Sequence, residues 1–321
     1  MGRISKVQEA EIAVQRAAVA STRRAISPEL EEILFTPLPV LDHGFVRVID
    51  YMGNDDAVVQ AARVSYGRGT RKTSEDAGLI DYLLRHAHTT PFEMAEIKLH
   101  VKLPIFVARQ WIRHRTASVN EYSARYSILD KEFYLPDLSQ MAAQSKSNRQ
   151  GRGDALEESD AQQFRQYIDH DSVQSYERYL QLLNEDEHGA SMIEGKAGLA
   201  RELARMVLPL NYYTQWYWKT DLHNFMGFLR LRLDPHAQYE IRVYADAMLS
   251  ILKRWAPLTY QSFLEHRLGS VTLSAKAAAV LRARLQGEEV TRDQSGLNQR
   301  EWADLVRAFD LERPRVKGEP K

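Results

Sequence analysis

The sequence predicts a mixed α/β fold, and three observations lead there. Short runs of β-type residues, notably 45–52 and 97–103, are interleaved with longer stretches whose apolar residues recur at helical spacing, such as 162–183 and 236–254. A chain of 321 residues with 44% hydrophobic content can bury a large core, in one elaborated domain or two ordinary ones. The glycine-bearing segments Gly67-Arg-Gly69 and Gly151-Arg-Gly153 are too short to complete the six-residue dinucleotide fingerprint, which disfavours a Rossmann arrangement.

Taken in order, residues 1–40 are charged and alanine-rich, with Ile12, Val14, Ala17 and Val19 loosely spaced like a helix, and are read as an N-terminal extension. The main domain is expected over 41–270. Residues 45–52, Phe-Val-Arg-Val-Ile-Asp-Tyr-Met, suit a strand, and Gly53-Asn54-Asp55 then supplies a turn and an N-cap for a helix. Another helix is expected over 75–85, with Leu79, Tyr82 and Leu83 on its buried side. Ile97, Leu99, Val101 and Leu103 alternate with polar residues as in a half-buried strand that Pro104 closes, and 105–114 reads as a helix. Between 139 and 160 the hydrophobic spacing collapses into Ser, Gln, Asn, Arg and Gly, the composition of a surface insertion or mobile loop. Helical patterns follow over 162–183 and 196–207, then an aromatic strand over 212–218, then helices over 222–231 and 236–254, where Asp234-Pro235 fits an N-cap with proline at the first helical position. Residues 271–321 look like a helical C-terminal appendage rich in Ala, Arg and Glu.

Composition removes several function classes. Lys and Arg total 43 against 43 Asp and Glu, so no global field draws the protein to nucleic acid or anionic membrane, and anion binding must be local. The first residues lack the apolar stretch of a signal peptide, and no segment has the length of a membrane span, so a cytoplasmic location is expected. There are no cysteines, which rules out disulfides, cysteine-ligated zinc, iron–sulfur clusters and thiol nucleophiles together.

The densest chemical signal is residues 110–126, Gln-Trp-Ile-Arg-His-Arg-Thr-Ala-Ser-Val-Asn-Glu-Tyr-Ser-Ala-Arg-Tyr, where cations, hydroxyls and a carboxylate leave the end of an apolar helix. Guanidinium groups offer two-pronged donors to phosphate, and hydroxyls complete the shell around its oxygens. An Arg-His-Arg alone would more often cap a helix C-terminus. Here it is followed, after seven residues, by Ser123 and then Arg125-Tyr126, and that pattern resembles the signature of the flavin-dependent thymidylate synthases. Further blocks resemble the family in family order: Gly53-Asn-Asp, Ala61-Ala-Arg-Val-Ser-Tyr66, His88-Thr-Thr-Pro-Phe-Glu93, Ala108-Arg-Gln-Trp111, Ala204-Arg-Met-Val-Leu-Pro209 and Leu231-Arg-Leu-Asp-Pro-His-Ala-Gln238. The resemblance covers roughly 44–267 and leaves out both ends and the 139–160 insertion.

The resemblance implies a homotetramer of mixed α/β subunits, each with a central sheet and flanking helices, and active sites at subunit contacts. It implies conversion of dUMP to dTMP, with methylenetetrahydrofolate as one-carbon donor and FAD reduced by NAD(P)H as hydride source. Carried over by position, Arg113, His114, Arg115 and Glu121 are flavin contacts, with His88 and Thr90 approaching from a neighbouring subunit. Gln110, Arg113, Glu121, Ser123, Ala124 and Arg125 match the nucleotide pocket, and Arg205 completes the grip on the phosphate. Arg232 matches the arginine at the pyrimidine, where a cation favours ionisation at N3. It is the foremost catalytic candidate. Ser123 reads either as a nucleophile or as a hydrogen-bonding group, and with no adjacent base in sequence the binding reading is preferred. Where the family has a polar flavin-holding residue before Leu231, this chain has Asp221, His223 and Gly227 at the matching places; Asp221 and His223 remain candidates, whereas Gly227 offers only backbone or space.

Blander readings stand beside these. His86, His88 and Glu93 lack a complete metal shell, and no metal is expected. The aromatics Tyr212, Tyr213, Trp216, Tyr217 and Trp218 are favoured as packing over stacking on a ring. A nucleic-acid protein using Arg113, Arg115, Arg125 and Arg232 against phosphates is disfavoured by the neutral charge and the lack of a basic stripe.

Overall fold

A computed structural model describes residues 6–64, 73–123, 125–126, 128–146 and 151–311. It divides into two compact units, the first ending at Leu264 and the second beginning at Glu265. The first unit is built on a wholly antiparallel sheet of five strands, β1 (Leu38–Val40), β2 (Gly44–Met52), β3 (Glu96–Pro104), β4 (Ser118–Glu121) and, last in the chain, the aromatic strand Tyr213–Asp221. A separate two-stranded hairpin, β5 (Ala142–Gln144) and β6 (Arg152–Ala155), precedes that aromatic strand, which is therefore β7. The order across the main sheet is β1-β2-β3-β7-β4. The fold is the expected mixed α/β type with a non-Rossmann sheet.

Strand alternation decides which face is covered. Val46, Val101 and Trp216 lie in one row, and Val48, Leu99 and Trp218 in the next; all are buried. Ile49 is an extra residue between Val48 and Asp50, a bulge that returns Tyr51 to the buried face opposite Ile97. The helices of this unit are α1 (Lys6–Ala17), α2 (Pro28–Glu31), α3 (Asp55–Val64), α4 (Thr73–Arg85), α5 (Ile105–Trp111), α6 (Glu158–Leu183), α7 (Arg201–Ala204), α8 (Leu222–Arg232), α9 (Tyr239–Trp255) and α10 (Pro257–Phe263). Gly53, at φ +74°, makes the turn into α3, and Asn54 Oδ1 accepts from Asp56 N at 3.0 Å as the predicted cap. In the second unit α11 (Ala275–Leu285), α12 (Arg292–Ser295) and α13 (Gln299–Phe309) enclose a small core of Ala277, Val280, Leu297 and Leu305. Among the described residues no helix is long and apolar enough to cross a membrane.

Local differences from the sequence reading have identifiable causes. On α4 the buried side is Ile80, Leu83 and Leu84, while Tyr82 is 44% exposed and forms a groove wall. The expected 105–114 helix stops at Trp111, because the chain must turn for residues 118–121 to pair with β7. Within 196–207 helix begins only at Arg201: Gly198 lies so close to the end of α6 that a Cβ would sit 1.8 Å from Leu183 O, and Leu199 N donates to Leu182 O at 2.6 Å. Asp234-Pro235 forms a turn instead of a helix start, since Asp234 Oδ1 accepts His236 N at 2.8 Å and its carbonyl accepts Ala237 N at 2.8 Å; α9 starts at Tyr239. Inside the 139–160 stretch the hairpin β5–β6 forms. Near the N-terminus α1 buries no residue, but Leu30 is fully buried and Ser27 Oγ donates to Trp255 O at 2.7 Å, so residues 27–34 are anchored to the core through these two side chains.

The opposite face of the sheet is polar. Arg47 Nη2 donates to His100 Nδ1 at 2.7 Å, which places the imidazole proton on Nε2, facing Gln215 Oε1 at 2.9 Å; Tyr217 stacks on the ring at 5.0 Å. Burial first, then the charges of Arg47 and Lys102, pull the His100 pKa down from 6.5 to about 4.

Two predictions follow from this packing. Leu30→Ala is expected to cost about 2–5 kcal/mol, read as a lowered denaturant midpoint; an unchanged midpoint would show that residues 27–34 do not stabilise the core. Because His100 in the folded chain binds its proton only near pH 4 while the unfolded chain does so near 6.5, its contribution to stability is lost as pH falls from 6.5 through 4. His100→Gln should flatten that part of the stability–pH curve, and an unaltered slope would refute the assignment.

Candidate active site

The site begins where an aromatic core ends. Trp111, fully buried at the end of α5, packs with ring centroids 4.4 Å from Phe228 on α8, 5.6 Å from Trp218 and 5.8 Å from Trp216 on β7, and 6.0 Å from Tyr244 on α9. Of the predicted aromatic run, Tyr212, Tyr213, Trp216 and Trp218 are buried; Tyr217 is 41% exposed. With Trp111 held, the next residues emerge at the C-terminus of α5, beside the last turn of α8. Arg232 Nη2 donates to the Gln110 carbonyl at 3.2 Å, a cation on the free carbonyls of a helix end. The Arg232 Nε is buried without a partner among the described residues, and burial alone lowers the pKa of its guanidinium. An open cavity of about 750 Å³ at this point is lined by Gly227, Arg230, Leu231, Arg232, Asp234 and His236.

His114 is half-buried against Trp218 and Phe228, with its Nε2 3.2 Å from Thr116 Oγ1. Burial, then the charge of Arg232, push its pKa below the usual 6.5; Asp221 opposes them. Gly227 leaves the adjoining wall open, as a Cβ there would come no nearer than 3.9 Å to His114 Cε1. Asp221 ends β7 and caps α8: Oδ1 accepts Asn224 N at 2.8 Å and Oδ2 accepts Asn224 Nδ2 at 2.6 Å. His223, in the first turn of α8, is half-buried and its side chain makes no hydrogen bond among the described residues.

The strand after the Arg-His-Arg run carries further candidates. Thr220 Oγ1 donates to Thr116 O at 2.8 Å and Thr214 Oγ1 to Glu121 Oε1 at 2.8 Å, so β7 holds both ends of β4. Ser123 Oγ accepts from Arg125 N and Nε, each at 3.4 Å, and no basic nitrogen or carboxylate of a general base bonds it among the described residues. Ala124 lies outside the described residues, as does the 65–66 end of the Ala61–Tyr66 block. Arg201, which the sequence reading passed over, donates to Tyr126 O at 3.0 Å and pairs with Glu185 at 2.8 Å, tying α7 to the Arg125–Tyr126 segment. Arg205 follows on the next turn. The side chains of Arg113, Arg115 and Arg205 are exposed and make no hydrogen bond or ion pair among the described residues. His88 and Thr90 line a separate open groove of about 660 Å³ with Tyr82, Leu79 and Met94, the His88 ring 5.7 Å from that of Tyr82.

The comparisons bear on this arrangement. Residues 47–258 match the family described as "Thymidylate synthase complementing protein". A flavin-dependent thymidylate synthase of Gluconobacter oxydans is 62% identical over 96% of this chain and 98% of its own, and that of Rickettsia bellii is 57% identical over 89% and 98%. The chain belongs to the flavin-dependent thymidylate synthase family. It is thus an enzyme, a flavin-dependent methyltransferase. Among solved structures it is similar to a UMP/dUMP methylase, PolB, of Streptomyces cacaoi, seen with 5-Br UMP and with 5-Br dUMP; the first of these has a TM-score of 0.61 and 32% identity over 70% of this chain and 95% of that one.

Two partners in this family member were missed by sequence reading because their meaning is tertiary: Asn224, which occupies both oxygens of Asp221, and Gln238, whose Oε1 accepts Gln110 Nε2. By NMR titration the His114 imidazole is expected to take up its proton below pH 6.5, and Arg232→Met to bring it part of the way back. A His114 titration indifferent to Arg232 would mean that the two do not share a field.

Proposed function

We propose that this enzyme converts dUMP to dTMP, with methylenetetrahydrofolate as one-carbon donor and NAD(P)H-reduced FAD as hydride source. The observation that carries the reading is the meeting of Gln110, His114 and the half-buried Arg232 where α5 ends against α8. Arg113 and Arg115, which follow in the chain, are exposed and make no hydrogen bond or ion pair among the described residues. The assembly we propose is a homotetramer with active sites at subunit contacts, in the cytoplasm, with small molecules and not nucleic acid or membrane as partners.

The residues fit a flavin dinucleotide. Arg113 and Arg115 have guanidinium donors that no protein group takes among the described residues and that suit a pyrophosphate, and the Cβ-free wall at Gly227 beside the His114 ring leaves space for a planar group. His114, Glu121, Asp221 and His223 are the further flavin candidates on this side. His88 and Thr90, in the groove with Tyr82, are assigned to the same cofactor of a neighbouring subunit. When bound, the flavin supplies the hydride, which a chain without cysteine needs in place of thiol chemistry.

On the nucleotide, Gln110, Arg113, Glu121, Ser123, Ala124 and Arg125 form the proposed pocket, with Arg205 on the phosphate. Arg232 carries the catalytic assignment. Burial strips water from its guanidinium, so its field on a nearby pyrimidine is less screened, and ionisation at N3 is favoured. Ser123, engaged by Arg125 and without a base, holds and orients. His114, kept neutral at pH 7 by burial and by Arg232, has one ring nitrogen to accept and one to donate.

A visible spectrum of the purified protein should show flavin bands that bleach on anaerobic NADPH addition, and dTMP should form from dUMP and methylenetetrahydrofolate. A colourless protein that takes up no FAD would overturn the reading. Arg232→Ala is expected to abolish turnover with flavin retained, and full activity would remove it from catalysis. Arg205→Ala should weaken dUMP binding by about 1.5–3 kcal/mol, the worth of one charge-assisted contact; an unchanged affinity would end that assignment.

A further inference from the structure

Glu240, in the first turn of α9, is 1% exposed and is occupied on both oxygens. Its Oε1 accepts the Tyr134 hydroxyl at 3.0 Å and pairs with Arg152 of hairpin β5–β6; its Oε2 accepts Gln238 Nε2 at 2.9 Å. Gln238 Oε1 in turn accepts Gln110 Nε2, and the Gln110 carbonyl accepts Arg232. A buried carboxylate therefore stands at one end of a line of hydrogen bonds whose other end is the proposed nucleotide site.

The chemistry of the line sets its direction. A carboxylate only accepts, so the Gln238 amide must turn its NH2 toward Glu240 and its oxygen away. Gln110 meets that oxygen and must turn its own NH2 inward. Its Oε1 is then the atom presented outward, and no protein donor takes it among the described residues. A side-chain amide standing alone rotates between two nearly equal orientations; this one has a single orientation, fixed two residues away. Tyr134 does not disturb the polarity, because burial and the neighbouring Glu240 raise its pKa and keep the phenol a donor. Arg152 compensates the buried charge from the hairpin, which gives that segment a part in the site although it lies in a stretch that reads as a loop.

We propose that Glu240 is a positioning residue for nucleotide binding: acting through Gln238, it locks the Gln110 amide so that Gln110 Oε1 faces the nucleotide as an acceptor for one of its N–H or O–H groups. The inference rests on the assignment of Gln110 to the dUMP pocket made above. Glu240 touches neither substrate nor cofactor on this view. Its effect is on affinity.

The test is calorimetric titration of dUMP into the flavin-loaded, full-length protein, with flavin absorbance and thermal midpoint recorded for every variant. Gln238 is exposed, so Gln238→Leu breaks the line without opening the core. Gln238→Leu and Gln110→Leu are each expected to weaken dUMP by about three- to tenfold, the range of one lost hydrogen bond, at unchanged flavin occupancy. The double variant should be no weaker than Gln110→Leu alone, since the residues act in series. Glu240→Gln, which lets the line run in either direction, should lose affinity in the same range. If Gln110→Leu weakens dUMP while Gln238→Leu and Glu240→Gln change only the thermal midpoint, the relay is wrong and the pocket assignment survives. Additive losses in the double variant also overturn the relay. If Gln110→Leu leaves dUMP affinity intact, the assignment itself falls, and the relay with it.

Discussion

The packing of Trp111 is the constraint on which the rest of this structure depends. One indole, in contact with β7, α8 and α9, fixes how the end of α5 meets α8. Large aromatic side chains bury much apolar area with little loss of rotamer freedom, so a cluster of them resists sliding more than an aliphatic core of the same size. The cost is polar: the indole N–H groups of Trp111, Trp216 and Trp218 are buried without an acceptor among the described residues.

Beside that cluster the electrostatics are arranged by proximity and burial. Arg232 is pulled partly out of water, which lowers its pKa, and its bond to the end of α5 aims it. The same charge, with burial, keeps His114 neutral, while Asp221 pulls the other way from its place as the cap of α8. Arg113, Arg115 and Arg205 are instead exposed and without partners among the described residues. In a protein of zero net charge any cationic surface is local and is balanced by carboxylates elsewhere on the chain.

The sheet contributes in two ways. Its buried face anchors the aromatic cluster, and its last strand, β7, grips β4 through ladder bonds and through Thr214 and Thr220, so that the residues following Arg115 run along an edge instead of continuing a helix. The hairpin β5–β6 is tied to the same region through Glu240. Segments 88 to 104 residues apart in the chain are thus coupled by single polar contacts, each of which is worth little alone and gains from being shielded by its neighbours.

The sequence by itself determined the fold class, the strands over 45–52 and 97–103, the caps at Asn54 and the motif between Gln110 and Tyr126, because periodicity, turn chemistry and a run of anion-binding side chains are local properties. It also singled out Arg232 as a candidate through the resemblance of its flanking residues, and the structure sets that side chain against the end of α5. Tertiary structure alone decided that the helix ends at Trp111 and not at His114, that Tyr82 faces a groove, that Asp234-Pro235 turns, and that residues 27–34 are anchored to the core. It alone joined Glu240 and Gln238 to Gln110. Each of these depends on a partner distant in the chain: a strand that captures the residues after a helix, a carboxylate that fixes an amide's direction, a carbonyl that leaves room only for Gly198. Propensity cannot anticipate such partners, since the free energy that selects the conformation arises only when the two segments meet.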